Sequence, residues 1–120
     1  MQTLSMIIFG EPASKANSRR AVRIHGKPMF IKSSKALEYG KSFKHQVKDL
    51  NLLMIEGDVS VTMTIYYASR RPDLDESLIL DLLQDVVYLN DRQVKEKHIY
   101  WGLDKENPRT IIEVKKMGAD

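Results

Sequence analysis

Three aspartates set the chemistry to look for. Asp73 and Asp75 are separated by one leucine and follow Arg70, Arg71 and Pro72; Asp91 sits further on, in Asn90-Asp91-Arg92-Gln93. In extended backbone, residues two apart point the same way, so Asp73 and Asp75 would present their carboxylates side by side. Like charges that close repel unless a cation sits between them. The chain is otherwise basic, with a formal net charge of +3. Acids clustered in such a chain point to a magnesium site facing a phosphate backbone. Magnesium takes few carboxylates and completes its shell with water and substrate phosphate. Two such ions about 4 Å apart would stabilise both the attacking and the leaving oxygen of an in-line phosphodiester hydrolysis.

Each acid also has a plainer role open to it. Asp is a preferred helix N-cap, and acids suit the first turn, which would account for Asp75. An Asn-Asp pair is a common turn, which would account for Asp91. Glu76 reads as a first-turn acid or an extra ligand. Asp81 and Asp85 fall one helical turn apart, away from the apolar stripe, and read as a solvated face.

The elements that would position these groups can be read in order. Residues 3–9 read as a strand, ended by Gly10-Glu11-Pro12. Residues 13–20 are polar and read as a loop. Residues 21–24 and 28–31 bracket a hairpin turn at His25-Gly26-Lys27. Ser33 or Ser34 can cap a helix running to about Leu50, with Leu37, Phe43, Val47 and Leu50 near one face. Val59, Val61, Met63, Ile65 and Tyr67 alternate with Ser60, Thr62, Thr64 and Tyr66, the clearest strand in the chain. After the acidic loop, the spacing of Leu78, Ile79, Leu82, Leu83, Val86 and Val87 predicts a helix from about Glu76 to Val87. Residues 90–93 turn, 94–102 form a strand, 103–108 a charged loop and 110–116 a last strand. The layout is α+β, a single small domain over residues 1–120, with a mixed sheet and two main helices packed on it. If the second helix folds back along the sheet, a favourable turn brings Asp91 toward Asp73 and Asp75; the sequence permits this without requiring it.

Composition narrows the partners. Ten of the Lys and Arg residues and three of the acids fall in residues 1–50, leaving nine and thirteen for the remainder, a balance of +7 against −4. That asymmetry suits a polyanion grip beside a metal-binding centre. Lys15, Arg19, Arg20 and Arg23 are placed to contact backbone phosphates; Arg70 and Arg71 either clamp the scissile phosphate or neutralise the acids beside them. Lys32, Lys35, Lys41 and Lys44 would extend the footprint. The chain has no cysteine, which excludes disulfides, thiolate zinc sites and cysteine nucleophiles and fits a reducing compartment. Its first residues lack a basic leader and are too short for a membrane span, so a soluble intracellular protein is expected. His25, His45 and His98 show no ligand spacing, and there is no phosphate-binding loop or dinucleotide fingerprint.

Arg71-Pro72-Asp73-Leu74-Asp75, followed by Val86-Val87-Tyr88-Leu89-Asn90-Asp91-Arg92-Gln93, resembles the signature of the RusA family of Holliday junction resolvases, many of them encoded by phages and prophages. Gly10-Glu11-Pro12, the loop from Lys15 to Arg20 and the short basic strands before the first helix are similar to the same family, so the resemblance covers most of the chain. It implies a homodimeric, magnesium-dependent, structure-specific endodeoxyribonuclease that nicks four-way DNA junctions symmetrically in recombination and repair. It implies a cytoplasmic setting in a bacterial or phage-infected cell, and no small-molecule cofactor. By the same resemblance Asp73, Asp75 and Asp91 are the catalytic, metal-binding aspartates. Two positions depart from the family: Glu76 stands where Asn is usual, and Ile79 where a catalytic lysine is usual. Either Arg70, Arg71, Lys15 or Lys95 would then supply the missing cation, or the activity would be altered. The rival readings are a branched-DNA-binding module without catalysis and a nuclease preferring flaps or forks.

Overall fold

Strict alternation writes the central strand. Val59, Val61, Met63, Ile65 and Tyr67 are all fully buried, and the residues between them are only half-buried. A computed structural model describes residues 2–14 and 18–118. Its elements run β1 (Thr3–Phe9), β2 (Arg19–Ile24), β3 (Lys27–Lys32), α1 (Ser34–Lys48), β4 (Val59–Tyr67), α2 (Ser77–Leu83), β5 (Val94–Leu103) and β6 (Arg109–Lys116), with a short 3₁₀ turn over Asp91–Gln93. This is the expected order of strands and helices, in an α+β fold.

Four strands form one mixed sheet in the order β1-β6-β4-β5. β6 is antiparallel to both β1 and β4, while β4 and β5 run parallel. A parallel pair needs a crossover connection, commonly a helix; here α2 lies within it. Directly paired residues share a face of the sheet. One face therefore carries Met6, Ile8, Val61, Met63, Ile65, Ile112 and Val114, which join Ala36, Tyr39 and Phe43 of α1 and Leu78, Ile79 and Leu83 of α2 in one core. Fully burying a side chain such as Phe43 stabilises by about 1.5–3 kcal/mol.

Ser33 caps α1: its Oγ accepts from the Ala36 N–H at 3.2 Å. Of the four apolar residues expected on its buried face, Phe43 is fully buried and Val47 packs against the core, but Leu37 and Leu50 are exposed. Ala36 and Tyr39 take the places inside. The exposed edge at Phe9 is closed by Gln46, whose amide accepts from the Phe9 N–H at 2.7 Å and donates to its carbonyl at 2.8 Å.

Strands β2 and β3 form a separate two-stranded hairpin. Its turn residues, His25 and Gly26, both have positive φ, 51° and 77°. That is the twist a two-residue hairpin loop requires.

Helix α2 is shorter than its apolar spacing predicts, ending at Leu83 and not at Val87. Gln84 is extended, and Asp85 takes a left-handed conformation (φ 68°), which Asp tolerates better than most residues. The Asp85 N–H then donates to the Tyr88 carbonyl at 2.7 Å. Val87 and Tyr88 stay buried, as an apolar stripe demands, but they do so from a tight turn. The Tyr88 hydroxyl donates back to the Leu80 carbonyl at 2.7 Å, pinning the turn to the helix it leaves.

Candidate active site

The acidic loop is held at the ends of the parallel strands by two aromatic side chains. Tyr67, the last residue of β4, donates its hydroxyl to the Asp73 carbonyl at 3.2 Å and accepts from the Asp75 N–H at 3.3 Å. Trp101 of β5 stacks on the Tyr67 ring, centroids 6.2 Å apart, and its indole N–H donates to the Pro72 carbonyl at 3.2 Å. Burial first, then the negative charges of Asp75, Glu11 and Asp73, raise the Tyr67 pKa against the lowering effect of the Asp75 hydrogen bond, so the phenol keeps its proton at neutral pH. Removing that hydroxyl should destabilise by about 1–2 kcal/mol, because it leaves two backbone groups without their partner. A Tyr67→Phe variant is expected to melt at lower temperature; an unchanged melting curve would mean the loop is held by something else.

Glu11, in the Gly10-Glu11-Pro12 turn, reaches the same corner. Its carboxylate accepts from the Ala68 N–H at 2.6 Å and pairs with Lys35 of α1 at 2.9 Å. Burial raises its pKa, but the Ala68 hydrogen bond and Lys35 outweigh that and hold it below the ordinary value.

Asp75 is only 7% exposed. Its Oδ1 accepts from the Ser77 N–H at 3.1 Å and from the Ser77 hydroxyl at 2.5 Å. So it meets the start of α2 much as a capping acid does, and it also lines a cleft with Arg19, Lys32, Ser77 and Asp81. Asp73 is exposed and lines neither this cleft nor the one beside it.

Asp91 is brought back toward α2 by its neighbours. The Asn90 side chain accepts from the Arg92 N–H at 2.9 Å, and Gln93 Oε1 accepts from the Leu89 and Asn90 N–H groups at 2.9 and 3.0 Å. The Gln93 amide donates to the carbonyls of Ile55 and Gly57, at 2.9 and 2.8 Å. The Asp91 N–H itself donates to Gln84 Oε1 at 3.2 Å. Asn90 and Gln93 thus shape the turn and leave the Asp91 carboxylate exposed. It lines a second cleft with Ser77, Asp81, Tyr88, Lys95 and Lys97. Burial, then the charges of Asp81 and Asp91, push the Tyr88 phenol well above its ordinary pKa.

Ser77 and Asp81 line both clefts. Asp81 is exposed, as expected of a solvated face, yet it stands between the Asp75 side and the Asp91 side. Helical spacing alone gives no sign of this, because the partner clefts are made by β5 and the hairpin. Among the described residues no group of three or more Asp, Glu, His or Cys side chains is close enough to hold a metal ion. The oxygen donors are of the kind magnesium takes, but Asp75, Asp81 and Asp91 do not form such a group; they line two adjoining clefts.

The cations divide between the clefts and the open surface. Arg19 and Lys32 line the Asp75 cleft, and a neighbouring groove carries Lys32, Lys41 and Lys44. Arg70 and Arg71 are exposed, and no ion pair joins either to a carboxylate among the described residues. Lys15 lies outside the described residues. Ile79 is fully buried in the core, so its position on α2 faces away from the clefts. Lys95 lines the Asp91 cleft at a β-bulge, where the register steps from Val59↔Val94 to Ser60↔Glu96. Lys97, not singled out from sequence, pairs with Glu76 at 2.7 Å. A lysine in an edge strand reads as solvated until the register of β5 against β4 is known.

The fold and clefts define a small α+β protein whose carboxylates lie between basic surfaces. Residues 10–115 match the family model for endodeoxyribonuclease RusA, and the chain belongs to that family. Family membership makes it a nuclease of the type that acts on Holliday junctions. No curated protein matches it. Among the described residues no helix is long and apolar enough to cross a membrane.

Proposed function

We propose that this chain, acting as one domain over residues 1–120, is a magnesium-dependent endonuclease that resolves four-way DNA junctions by symmetric nicking. The observation that carries the reading is the pair of adjoining clefts: Asp75 and Asp91 lie on either side of Ser77 and Asp81, with Arg19 and Lys32 flanking one and Lys95 and Lys97 the other. Asp73, Asp75 and Asp91 are proposed as the metal-holding, catalytic set. A divalent ion held by them would supply charge that polarises the phosphodiester and makes water more acidic.

The remaining work falls to the chain's own groups. Tyr67 and Trp101 fix the backbone of the acidic loop, so its carboxylates need little reorganisation when substrate arrives. Arg19, Arg20 and Arg23, with Lys15, Arg70 and Arg71, are proposed to grip backbone phosphates, which positions the DNA and makes binding salt-sensitive. Lys97, oriented by Glu76, is proposed as the cation facing the charge that builds on the scissile phosphate. Two such sites in a two-fold dimer would meet two opposed strands. The sheet face opposite the core, where Ile7, Phe9, Tyr100 and Ile111 are exposed, is the surface that supports the dimer.

The test is cleavage of a synthetic four-way junction with magnesium, with and without a chelator. Paired nicks in opposed strands are expected, lost with the chelator and restored by magnesium, from a protein whose light-scattering mass is twice that of the chain. Binding without cleavage under any divalent ion would sink the catalytic reading; faster cutting of flaps or forks than of junctions would sink the substrate assignment.

A further inference from the structure

The β2–β3 hairpin is an exposed arm. Of its twelve strand residues only Val22 and Ile31 are as much as half-buried. A two-stranded hairpin is marginally stable by itself, and one this exposed offers both faces to a partner. The register puts Arg19 opposite Lys32, Ala21 opposite Phe30 and Arg23 opposite Pro28, all on one face. At its foot, Arg19 and Lys32 line the cleft that holds Asp75 and Asp81. Phe30 stands two residues beyond Lys32, about 7 Å farther out on that face. It is 72% exposed, and the residue across from it is only an alanine.

Moving outward from the acids, the surface therefore presents cations, then a bare aromatic ring, then Arg23. A phosphodiester strand lying in the cleft meets that series in order. Aromatic rings set in a positively charged groove are stacking platforms for bases, tolerant of sequence because every base has a π-face. In an unbroken duplex the bases are already stacked, and taking one out costs a few kcal/mol. At a branch point part of that cost is already met.

We infer that Phe30 stacks on a base unstacked at the branch point, beside the scissile phosphate, and so favours branched over linear DNA. This rests on the reading of the chain as an enzyme of branched DNA, but it is tested by binding in chelator, where no cleavage occurs. Phe30→Ala should weaken binding of a four-way junction about tenfold or more, with affinity for linear duplex of the same sequence within about twofold. Phe30→Trp should restore the preference. Phe30→Leu, which keeps apolar bulk without a π-face, should not. Equal losses on junction and duplex, no loss on the junction, or full junction affinity of Phe30→Leu would overturn the inference. So would halving of the solution mass by Phe30→Ala, which would make the partner of this ring a second copy of the chain. Junction binding that depends on Phe30 in a protein that never cuts would refute the proposed catalysis and leave this inference standing.

Discussion

Asp75→Asn is expected to lower junction cleavage about a thousandfold or more, the scale seen when a group that stabilises transition-state charge is removed. Junction binding in chelator should change no more than a few-fold. The structure separates this loss from a loss of fold. Asp75 Oδ1 accepts from the Ser77 N–H and hydroxyl, and an asparagine carbonyl can accept both. Asn is also as good a helix cap as Asp. A purely structural Asp75 would therefore tolerate the change with little cost to either melting temperature or rate. Equal cutting by wild type and variant would leave Asp75 as a capping residue and move the catalytic centre elsewhere. Ser77→Ala sharpens the comparison: it keeps the charge and removes one hydrogen bond, so it should cost far less in rate than Asp75→Asn.

What could be read beforehand, and what could not, divides by range. The β4 alternation and the Ser33 cap are local, and each appears where its residues predict it. The end of α2 is not local. Leu78 to Val87 keeps a helical apolar spacing, but the Tyr88 hydroxyl and the left-handed Asp85 convert its last turn into a tight bend. That bend returns Asp91 to the flank of α2. The same holds for the Asn90 to Gln93 segment: a turn is evident from composition, whereas the Gln93 contacts with Ile55 and Gly57 join segments far apart in the chain.

The basic residues show the same division. Charge asymmetry between the two halves of the chain is plain in composition, and Arg19 and Lys32 do line the Asp75 cleft. Which lysines of β5 face the acids is another matter. It depends on the parallel register with β4 and on the bulge at Lys95, neither of which one strand's sequence contains. Glu11 is similar: it reads as part of a strand-ending turn, and only the folded chain shows it bonded to the Ala68 N–H at the root of the acidic loop.

Lys97→Met is expected to reduce the cleavage rate about a hundredfold, the lower end of what losing one transition-state contact costs, with junction binding in chelator little changed. The Lys97–Glu76 pair is half exposed on the lysine side, so solvent and salt screen it and its removal should barely move the melting temperature. A rate loss without a stability loss is thus the signature of a cation acting on substrate, while a melting shift without a rate loss would make the pair structural. Lys97→Arg should recover part of the rate, since charge is kept but a planar fork replaces a compact point charge. Glu76→Gln tests the positioning role: Lys97 would keep its charge and lose its anchor, giving an intermediate rate. If wild type cuts and Lys97→Met cuts equally fast, Lys95 is the next cation to examine, because it lines the same cleft as Asp91.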